Sequence, residues 1–464
     1  MRAVASCAGL AVAMALVGQA GAVQGRSAPA GLLDAVASQV DPAELRSTIT
    51  RLVGFGTRHT LSDTPSPSRG IGPARAWVAR RFAEISAGCG GCLAVETPSQ
   101  TFTGERLPGP TAIVDVLAIQ RGTTEPERVI VISGHLDSRV RDVMDATSDA
   151  PGADDDGSGT AAVIEAARVL SQHRFPATLV FAVTSGEEQG LYGGRLLASY
   201  ALQHHWTVEA DLNNDIVGGV SGANGVKIAA YVRVFSEGTR AVETPQEATR
   251  RRYNGGEVDS PSRNLARFVS ELASRHLKGF TARMIYRTDR FSRGGDQVPM
   301  LAAGYPAIRF TQAIENYDRE HQDVRVENGV RYGDTIDGVD FAYLANVTRL
   351  NAITMAALAM APAPPPSVKI FGAVSLDTTI SWTPSDGAAG YRVWWRDTTA
   401  PQWTYSQRAP AGATSLVLKN INIDDWFFGV SAISAAGFAS PVEFPGPAGA
   451  FASPASPAPE RQGK

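Results

Sequence analysis

Residues 128–138 read Arg128-Val-Ile-Val-Ile-Ser-Gly-His-Leu-Asp-Ser138, an apolar run that ends in polar side chains. Four consecutive β-branched residues predict a buried strand. Residues 177–184 and the shorter stretch 208–212 have the same character, and residues 157–173 between the first two carry apolar side chains at helical spacing. This alternation predicts an α/β fold in which ligands bind beyond the carboxyl ends of the strands.

Polar clusters follow the first predicted strand. His135 offers an imidazole nitrogen to a metal, and Asp137 can accept its other ring N–H and orient the ring. Residues 151–159, Pro-Gly-Ala-Asp-Asp-Asp-Gly-Ser-Gly, place three adjacent carboxylates in a glycine-rich loop. Such carboxylates repel one another unless a cation lies among them. A solvated loop that caps the next helix would explain one or two of them, but the nearby histidine favours a metal bridge.

Three further clusters occur later in the chain. Residues 184–190, Thr-Ser-Gly-Glu-Glu-Gln-Gly, follow the second predicted strand. Of two adjacent glutamates at a strand end, one can bind metal while its neighbour accepts a proton from water. Asp215 follows the third strand, and His321 lies in the polar stretch 315–323. Each cluster is ambiguous by itself, but together they indicate a metal centre.

These clusters, in this order over about 300 residues, resemble the secreted bacterial di-zinc aminopeptidases, which are related to glutamate carboxypeptidase and the transferrin receptor. Residues 56–60, Gly-Thr-Arg-His-Thr, are similar to a less specific N-terminal motif of that family. The resemblance implies a mixed, mostly parallel sheet flanked by helices, the zinc exopeptidase fold, with two Zn²⁺ per chain. The residues that match the family's zinc ligands are His135, Asp155, Glu188, Asp215 and His321.

The resemblance also implies a role for each residue. His135 and Asp215 would hold one zinc ion, Glu188 and His321 the other, and Asp155 would bridge them. One imidazole, one carboxylate and a shared carboxylate per ion leave room for water. The mixed nitrogen and oxygen ligands suit zinc, although carboxylate-rich sites also accept manganese or cobalt.

Three other roles are expected around this centre. Glu187 would be the general base that activates a water between the two ions, while Asp137 would orient His135. Some relatives carry a tyrosine where this chain has Glu320, so that role does not transfer. The residues expected to contact the substrate are Arg290, Arg293, Asp296 and Tyr317.

The expected function is removal of N-terminal residues, apolar ones in particular, from peptides. A carboxypeptidase on the same scaffold remains an alternative, as does a glutaminyl cyclase, which works with one zinc. A receptor-like binding protein without catalysis is the alternative from another class, but the full ligand set disfavours it. The near-neutral net charge of -3 and the absence of a basic stripe argue against nucleic acid as a partner.

The N-terminus indicates export to the periplasm or the medium. Arg2 precedes an apolar run at residues 7–18, and small residues follow at 20–22, which is typical of a signal peptide over residues 1–22. The alternative, a membrane anchor, would need a longer apolar run. Residues 23–40 are interpreted as an N-terminal extension. In an oxidising compartment, Cys89 and Cys92 are expected to form a local disulfide rather than a redox or zinc motif.

The composition changes after residue 361, where the peptidase domain predicted for residues 41–361 ends. Residues 362–366 are a proline-rich linker. Residues 367–445 contain short β-type runs around Trp382 and Tyr391 and resemble a fibronectin type III module, a small all-β sandwich. We interpret it as a separable accessory for surface or polymer attachment. Residues 446–464 are expected to be disordered.

Overall fold

The structure, a computed structural model, describes residues 30–62 and 65–445. The predicted signal peptide and the predicted disordered tail lie outside these residues, as does the first part of the predicted extension. Among the described residues, no helix combines the length and the apolar character that a membrane span requires. The helices of this part of the chain are α1 (Ala30–Gln39), α2 (Pro42–Val53), α3 (Ile71–Gly88), α4 (Gly157–Leu170), α5 (Tyr192–Gln203), α6 (Pro245–Asn254), α7 (Pro261–His276), α8 (Gln297–Ala302) and α9 (Phe341–Met360).

A mixed eight-stranded sheet forms the centre of the large domain, in the order β1-β4-β6-β5-β7-β10-β8-β9. The four central strands, β6, β5, β7 and β10, are mutually parallel. The members of this sheet are β1 (Ala94–Glu96), β4 (Val116–Gln120), β5 (Glu125–His135), β6 (Ala177–Thr184), β7 (Thr207–Asn214), β8 (Tyr231–Phe235), β9 (Thr281–Ile285) and β10 (Ala307–Gln312). Two small antiparallel pairs lie outside it: β2 (Ser99–Phe102) with β3 (Thr111–Val114), and β11 (Arg325–Glu327) with β12 (Val330–Tyr332).

Helices cover both faces of this sheet because its central strands are apolar on both sides. On β5, Ile130 and Ile132 face a core that also contains side chains of α1, α2, α3, α4, α7 and α9. The alternate residues Val129 and Val131 face a smaller core with α5 and α8. The predicted fold class, a mixed, mostly parallel α/β sheet flanked by helices together with a small all-β part, is confirmed.

Helix α1 changes the expected start of the folded domain. Residues 23–40 were interpreted as an extension, yet Leu33, Val36 and Val40 are buried in the large core. The backbone N–H of Asp41 also donates to Glu165 of α4, which fastens the end of this segment. Helix α1, which lies within this segment, is therefore part of the core of the large domain.

The C-terminal part is a small β-sandwich. Its strands are β13 (Lys369–Phe371), β14 (Thr378–Ser381), β15 (Gly390–Asp397), β16 (Tyr405–Pro410), β17 (Ser415–Leu418) and β18 (Trp426–Ile433). The orders β13-β14-β17 and β16-β15-β18 form two antiparallel sheets. Ile380 and Leu418 of one sheet pack with Val393 and Phe428 of the other. A sandwich of this size agrees with the predicted β-type runs, whereas its assignment to the fibronectin type III modules stays a prediction.

The sandwich packs against the large domain and is not merely tethered to it by a flexible linker. Arg396 of β15 donates two hydrogen bonds to Asp259, at 2.9 and 2.8 Å, and Arg267 of α7 donates a third at 2.8 Å. All three side chains are buried. Phe438, which follows β18, joins the core of the large domain, and Pro362 of the expected linker is buried.

A disulfide joins Cys89 to Cys92 directly after α3, as the sequence predicts. Gly90 and Gly91 between them both have positive φ, 75° and 82°. Glycine adopts this backbone region without the steric penalty of a Cβ atom. The disulfide therefore closes a tight turn between α3 and β1, away from the polar clusters.

Candidate active site

The parallel strands bring the polar clusters to one edge of the sheet. His135 is the last residue of β5, and Asp215 directly follows β7. Glu187 and Glu188 come after β6, and the segment with His321 follows β10. Because carboxyl ends of parallel strands share one edge, residues almost 190 positions apart in the chain become neighbours.

Hydrogen bonding explains why only Asp155 of the acidic triplet enters the site. Asp156 accepts the backbone N–H groups of His135 and Gly159, at 2.9 and 2.8 Å, and thereby caps α4. Asp154 accepts the backbone N–H of Gly218 at 2.7 Å. The two outer carboxylates thus hold the loop in place, Asp156 as the N-cap of α4 and Asp154 through the backbone of Gly218. The central carboxylate remains for a ligand.

Asp155 lies between the two histidines. Its Oδ1 is 3.3 Å from Nε2 of His135, and its Oδ2 is 2.8 Å from Nε2 of His321. Asp215 Oδ1 lies 3.8 Å from the first imidazole nitrogen, and Glu188 Oε1 lies 3.2 Å from the second. Two groups that share Asp155 result, each with its ligand atoms within 4.8 Å of one another. The structure brings all five predicted ligands together.

The chemistry of these groups fits divalent cations. His135 Nε2 and Glu188 Oε1 are buried and find no hydrogen-bond partner among the described residues. Burying polar atoms unpaired is costly, so each implies a partner that the protein itself does not supply. Three carboxylates and two imidazoles form the mixed oxygen and nitrogen set that zinc accepts. The site therefore meets the requirements of a pair of metal ions.

Glu187 lines the same cleft as these groups. The cleft has a volume of about 370 Å³ and also exposes Asp155, Asp215 and His321. Burial raises the pKa of Glu187 well above its usual range, and the charges of Asp215 and Glu188 raise it further against the opposing charge of His135. A carboxylate with a raised pKa is suited to accept and return a proton.

Asp137 orients His135 through its backbone carbonyl, whereas the sequence predicted that its carboxylate would do so. Nδ1 of His135 lies 3.0 Å from the backbone carbonyl of Asp137 and 3.5 Å from its carboxylate, so the carbonyl is the acceptor. The carboxylate instead accepts the N–H groups of Gly186 and Glu188, at 2.9 and 3.1 Å. Asp137 therefore orients His135 through its main chain and the glutamate loop through its side chain.

Of the four predicted substrate contacts, only Arg293 lines the cleft. Arg290 lies behind it, paired with Asp289 and Glu315. Asp296 is 1% exposed, and it accepts the hydroxyl of Thr184 and the N–H of Gly194 at 2.5 and 3.1 Å.

The carboxylate of Asp296 thus joins the end of β6 to the start of α5, and its predicted contact with substrate stays a prediction. Tyr317 is 62% exposed and lies outside the residues that line the cleft.

Four residues that support the site were not predicted from the sequence. Asp334 accepts the N–H groups of Asp154 and Asp155 and so fixes the bridging loop. Arg58 donates to the carbonyls of Leu136 and Gly152, at 2.7 and 2.8 Å, which joins the loops of His135 and Asp155.

Two arginines contact the expected ligands themselves. Arg309 Nη2 lies 2.8 Å from Asp215 Oδ2, and Arg139 Nε donates to Glu188 Oε2 at 2.8 Å. Arg58 lies inside the N-terminal motif at residues 56–60, and Arg139 directly follows the His135 motif, so the sequence offered a reason to consider both residues. No motif in the sequence pointed to Asp334 or Arg309.

At the carboxyl edge of the α/β sheet, two imidazole–carboxylate groups share one aspartate. This arrangement indicates a metallopeptidase with an α/β fold. Residues 115–335, which hold all five expected ligands, match Peptidase family M28. The chain belongs to peptidase family M28, since it is also similar over most of its length to the metalloproteases described next.

Two similar sequences come from fungi. A probable zinc metalloprotease of Leptosphaeria maculans is 43% identical over 426 residues, which cover 91% of this chain and 98% of that protein. A probable zinc metalloprotease of Pyrenophora teres f. teres is also 43% identical, over 90% of this chain and 88% of its own length. The comparisons confirm peptidase family M28, whereas the bacterial origin expected from the sequence is not shown.

Solved structures show the same fold. The LapA aminopeptidase of Legionella pneumophila superimposes with a TM-score of 0.51 at 18% identity, over 70% of this chain and 73% of that one. LapB of the same organism gives a TM-score of 0.51 at 20% identity, over 71% and 75%. At this identity the likeness concerns the fold alone.

Proposed function

We propose that the protein is an exported, zinc-dependent aminopeptidase that removes apolar N-terminal residues from peptides. The observation that carries the proposal is Asp155, whose two oxygens face different histidines while Glu187 opens into the same cleft. Membership of peptidase family M28 supports a peptidase. The LapA aminopeptidase, which shares the fold, supports the choice of the N-terminal end.

The five ligands would hold two zinc ions. His135 and Asp215 would bind the first, Glu188 and His321 the second, and Asp155 both. When bound, the ions supply a Lewis acid that polarises the scissile carbonyl and lowers the pKa of water. Arg309 keeps Asp215 ionised and fixes its second oxygen, so that Oδ1 faces His135.

Glu187 would move the proton in this reaction. Its carboxylate takes a proton from the attacking water and delivers it to the leaving amine, so one residue acts first as base and then as acid. The hydrogen bonds from the glutamate loop to Asp137 keep Glu187 in position while it does so. Arg293 and Ser292 also line this cleft, where the peptide would lie.

Replacing Glu187 with Gln tests this role. The amide cannot accept the proton, so kcat should fall about 10²- to 10⁴-fold. Zinc content should stay unchanged, because Glu187 is not among the five ligands. Hydrolysis of Leu-p-nitroanilide measures the first effect and metal analysis the second. The matched control is Glu127→Gln, an exposed carboxylate on β5, which should leave both values unaltered. Loss of zinc from the Glu187→Gln protein would instead make Glu187 a ligand.

The alternatives differ in what the same assays would detect. A glutaminyl cyclase would form pyroglutamate with one tightly bound zinc ion per chain. A carboxypeptidase would release C-terminal residues and leave Leu-p-nitroanilide intact. A receptor-like binding protein would show no chelator-sensitive hydrolysis of any aminoacyl or peptide substrate.

Export and surface attachment belong to the same proposal. The Cys89–Cys92 disulfide supports an oxidising location, since cytosolic thiols are kept reduced. A periplasmic or extracellular site of action agrees with the apolar run at residues 7–18. The C-terminal sandwich, as a module of the fibronectin type III kind, would be the part that contacts a surface or polymer.

A further inference from the structure

Arg106 is an arginine of the cleft whose charge is not paired within the described part of the chain. It lies in the loop between β2 and β3 and lines the cleft together with Glu187 and Glu188. Its Nη1 donates to the backbone carbonyl of Glu188 at 3.0 Å. Among the described residues its side chain makes no other hydrogen bond and no ion pair. A guanidinium has five N–H donors, so most of them remain available to a ligand.

The other two arginines that line the cleft are already paired with carboxylates. Arg139 Nε lies 2.8 Å from Glu188 Oε2. Arg293 Nη1 lies 2.9 Å from Glu315 Oε2. Such charge-assisted pairs satisfy a guanidinium inside the protein. Arg106 therefore supplies the arginine charge that remains for an anionic group of the substrate.

The loop that carries Arg106 is held in place by packing. Leu107 is buried and lies in a small core with Ile113 and Tyr192. Gly104 lies so close to Tyr192 that a Cβ atom there would come within 1.8 Å of the hydroxyl oxygen. A solvated surface arginine would explain the exposure of Arg106, but it would not need this fixed loop or the hydrogen bond to the glutamate loop.

The attachment of Arg106 places it on the leaving-group side of the scissile bond. Glu187 would deliver its proton to the leaving amine, so the residue after the scissile bond lies next to the glutamate loop. Arg106 is bonded to that same loop through the carbonyl of Glu188. In a dipeptide, a single carbon atom separates the leaving nitrogen from the terminal carboxylate. An acidic side chain on this residue carries the same group a little further out.

We propose that Arg106 is a specificity-determining residue that binds a carboxylate on the residue after the scissile bond. This inference rests on the proposed function. The carboxylate is either the free C-terminus of a dipeptide or an aspartate or glutamate side chain, and both present the same planar pair of oxygens. A guanidinium binds such a pair through two parallel N–H donors. The preference concerns the second residue of the peptide and is compatible with an apolar first residue.

Two pairs of substrates separate the two sources of the carboxylate. Leucyl-glycine and leucyl-glycinamide differ in the terminal carboxylate, whereas the α-amides of leucyl-glutamic acid and leucyl-glutamine differ in the side chain. The wild-type kcat/KM should be roughly 10- to 100-fold higher for the charged member of at least one pair, the range expected for hydrogen bonds to a charged group. In Arg106→Gln this ratio should approach one, chiefly through a raised KM, because the contact already exists in the bound substrate.

Arg121→Gln is the matched control, because Arg121 is an exposed arginine outside the residues that line the cleft. It should keep the wild-type ratios, and Arg106→Lys, which retains the charge without the planar fork, should keep part of the preference. The inference alone would be overturned by a wild type without preference in either pair, by a ratio that survives in Arg106→Gln, or by an equal loss for both members of a pair. Failure of wild type to hydrolyse any of the four substrates would overturn the proposed function as well.

Discussion

Asp211 is a buried carboxylate that takes no part in the proposed chemistry. It lies on β7 with 0% exposure, and its Oδ1 accepts the hydroxyl of Ser133 at 2.8 Å. Its Oδ2 is buried and has no hydrogen-bond partner within the part of the chain that the structure describes. Burial raises the pKa of Asp211 to about 7. The folded protein therefore favours the neutral form of this group.

Replacing Asp211 with Asn should stabilise the protein at high pH. In the unfolded chain the carboxyl has a pKa of about 4, so the folded state binds one more proton between pH 4 and 7. Wild type consequently loses stability as the pH rises through this window, whereas Asn keeps the hydrogen bond and carries no charge. We expect a gain on the order of 4 kcal/mol at pH 8, since the two states differ by about three pKa units of about 1.4 kcal/mol each, and little difference near pH 4.

Thermal unfolding at a series of pH values measures this gain as the difference in Tm between Asp211→Asn and wild type. Asp386→Asn, at an exposed carboxylate, is the control and should show no such trend. An equal Tm difference at pH 4 and pH 8 would contradict a role for ionisation.

At the residue scale, the sequence predicted the side chains that follow strands and missed those that reach the site from afar. His135 and Asp155 stand in short motifs whose spacing is itself informative. Arg139 meets His321 across 182 positions, and Asp334 meets Asp155 across 179. Contacts over such separations depend on the folded chain path, which local patterns do not contain.

Helix α1 is the element in which local pattern and structure differ most. It is short, and a ten-residue helix is marginal in isolation. It is stabilised by packing against α9, the long apolar helix of the large core. By contrast, the predicted strand at residues 177–184 agrees with β6 residue for residue, because its apolar run ends at turn residues.

Replacing Leu33 with Ala tests whether α1 belongs to the folded domain. The side chain is 2% exposed, so its truncation should cost about 2–4 kcal/mol through lost burial and a cavity. A lowered Tm would report this cost. The control on the same helix is Gln39→Ala, whose side chain is exposed, and it should leave Tm within about a degree. An unaltered Tm for Leu33→Ala would show that α1 does not stabilise the domain and is an extension, as the sequence predicts.

At the scale of the whole molecule, the two domains share a buried ion network. Asp259 precedes α7 in the large domain, and its carboxylate receives one guanidinium from each side of the interface, Arg267 and Arg396. Trp403 of the sandwich donates to Asn264 of α7 at 3.1 Å. The sequence indicated two domains through its change in composition, but a proline-rich stretch gives no sign of whether the domains dock.

Replacing Arg396 with Met should destabilise the whole protein. The variant leaves the buried carboxylate of Asp259 paired with Arg267 alone and removes two hydrogen bonds from it, at a cost of about 1.5–3 kcal/mol. The Tm of Arg396→Met reports this cost, and Arg408→Met on the neighbouring strand β16, where the side chain is exposed, is the control. If both variants unfolded at the wild-type temperature, the sandwich would be the separable accessory that the sequence suggested.

The shared network also has a consequence for how the protein is made. Synthesis proceeds from the N-terminus, so every residue of the catalytic edge emerges before Arg396 does. Until the sandwich is complete, Asp259 lacks one of its two cations and Phe438 is missing from the core that it fills. A nascent chain cut short after residue 361 thus carries all the chemistry but an unfinished interior, which would leave it an easy target for degradation.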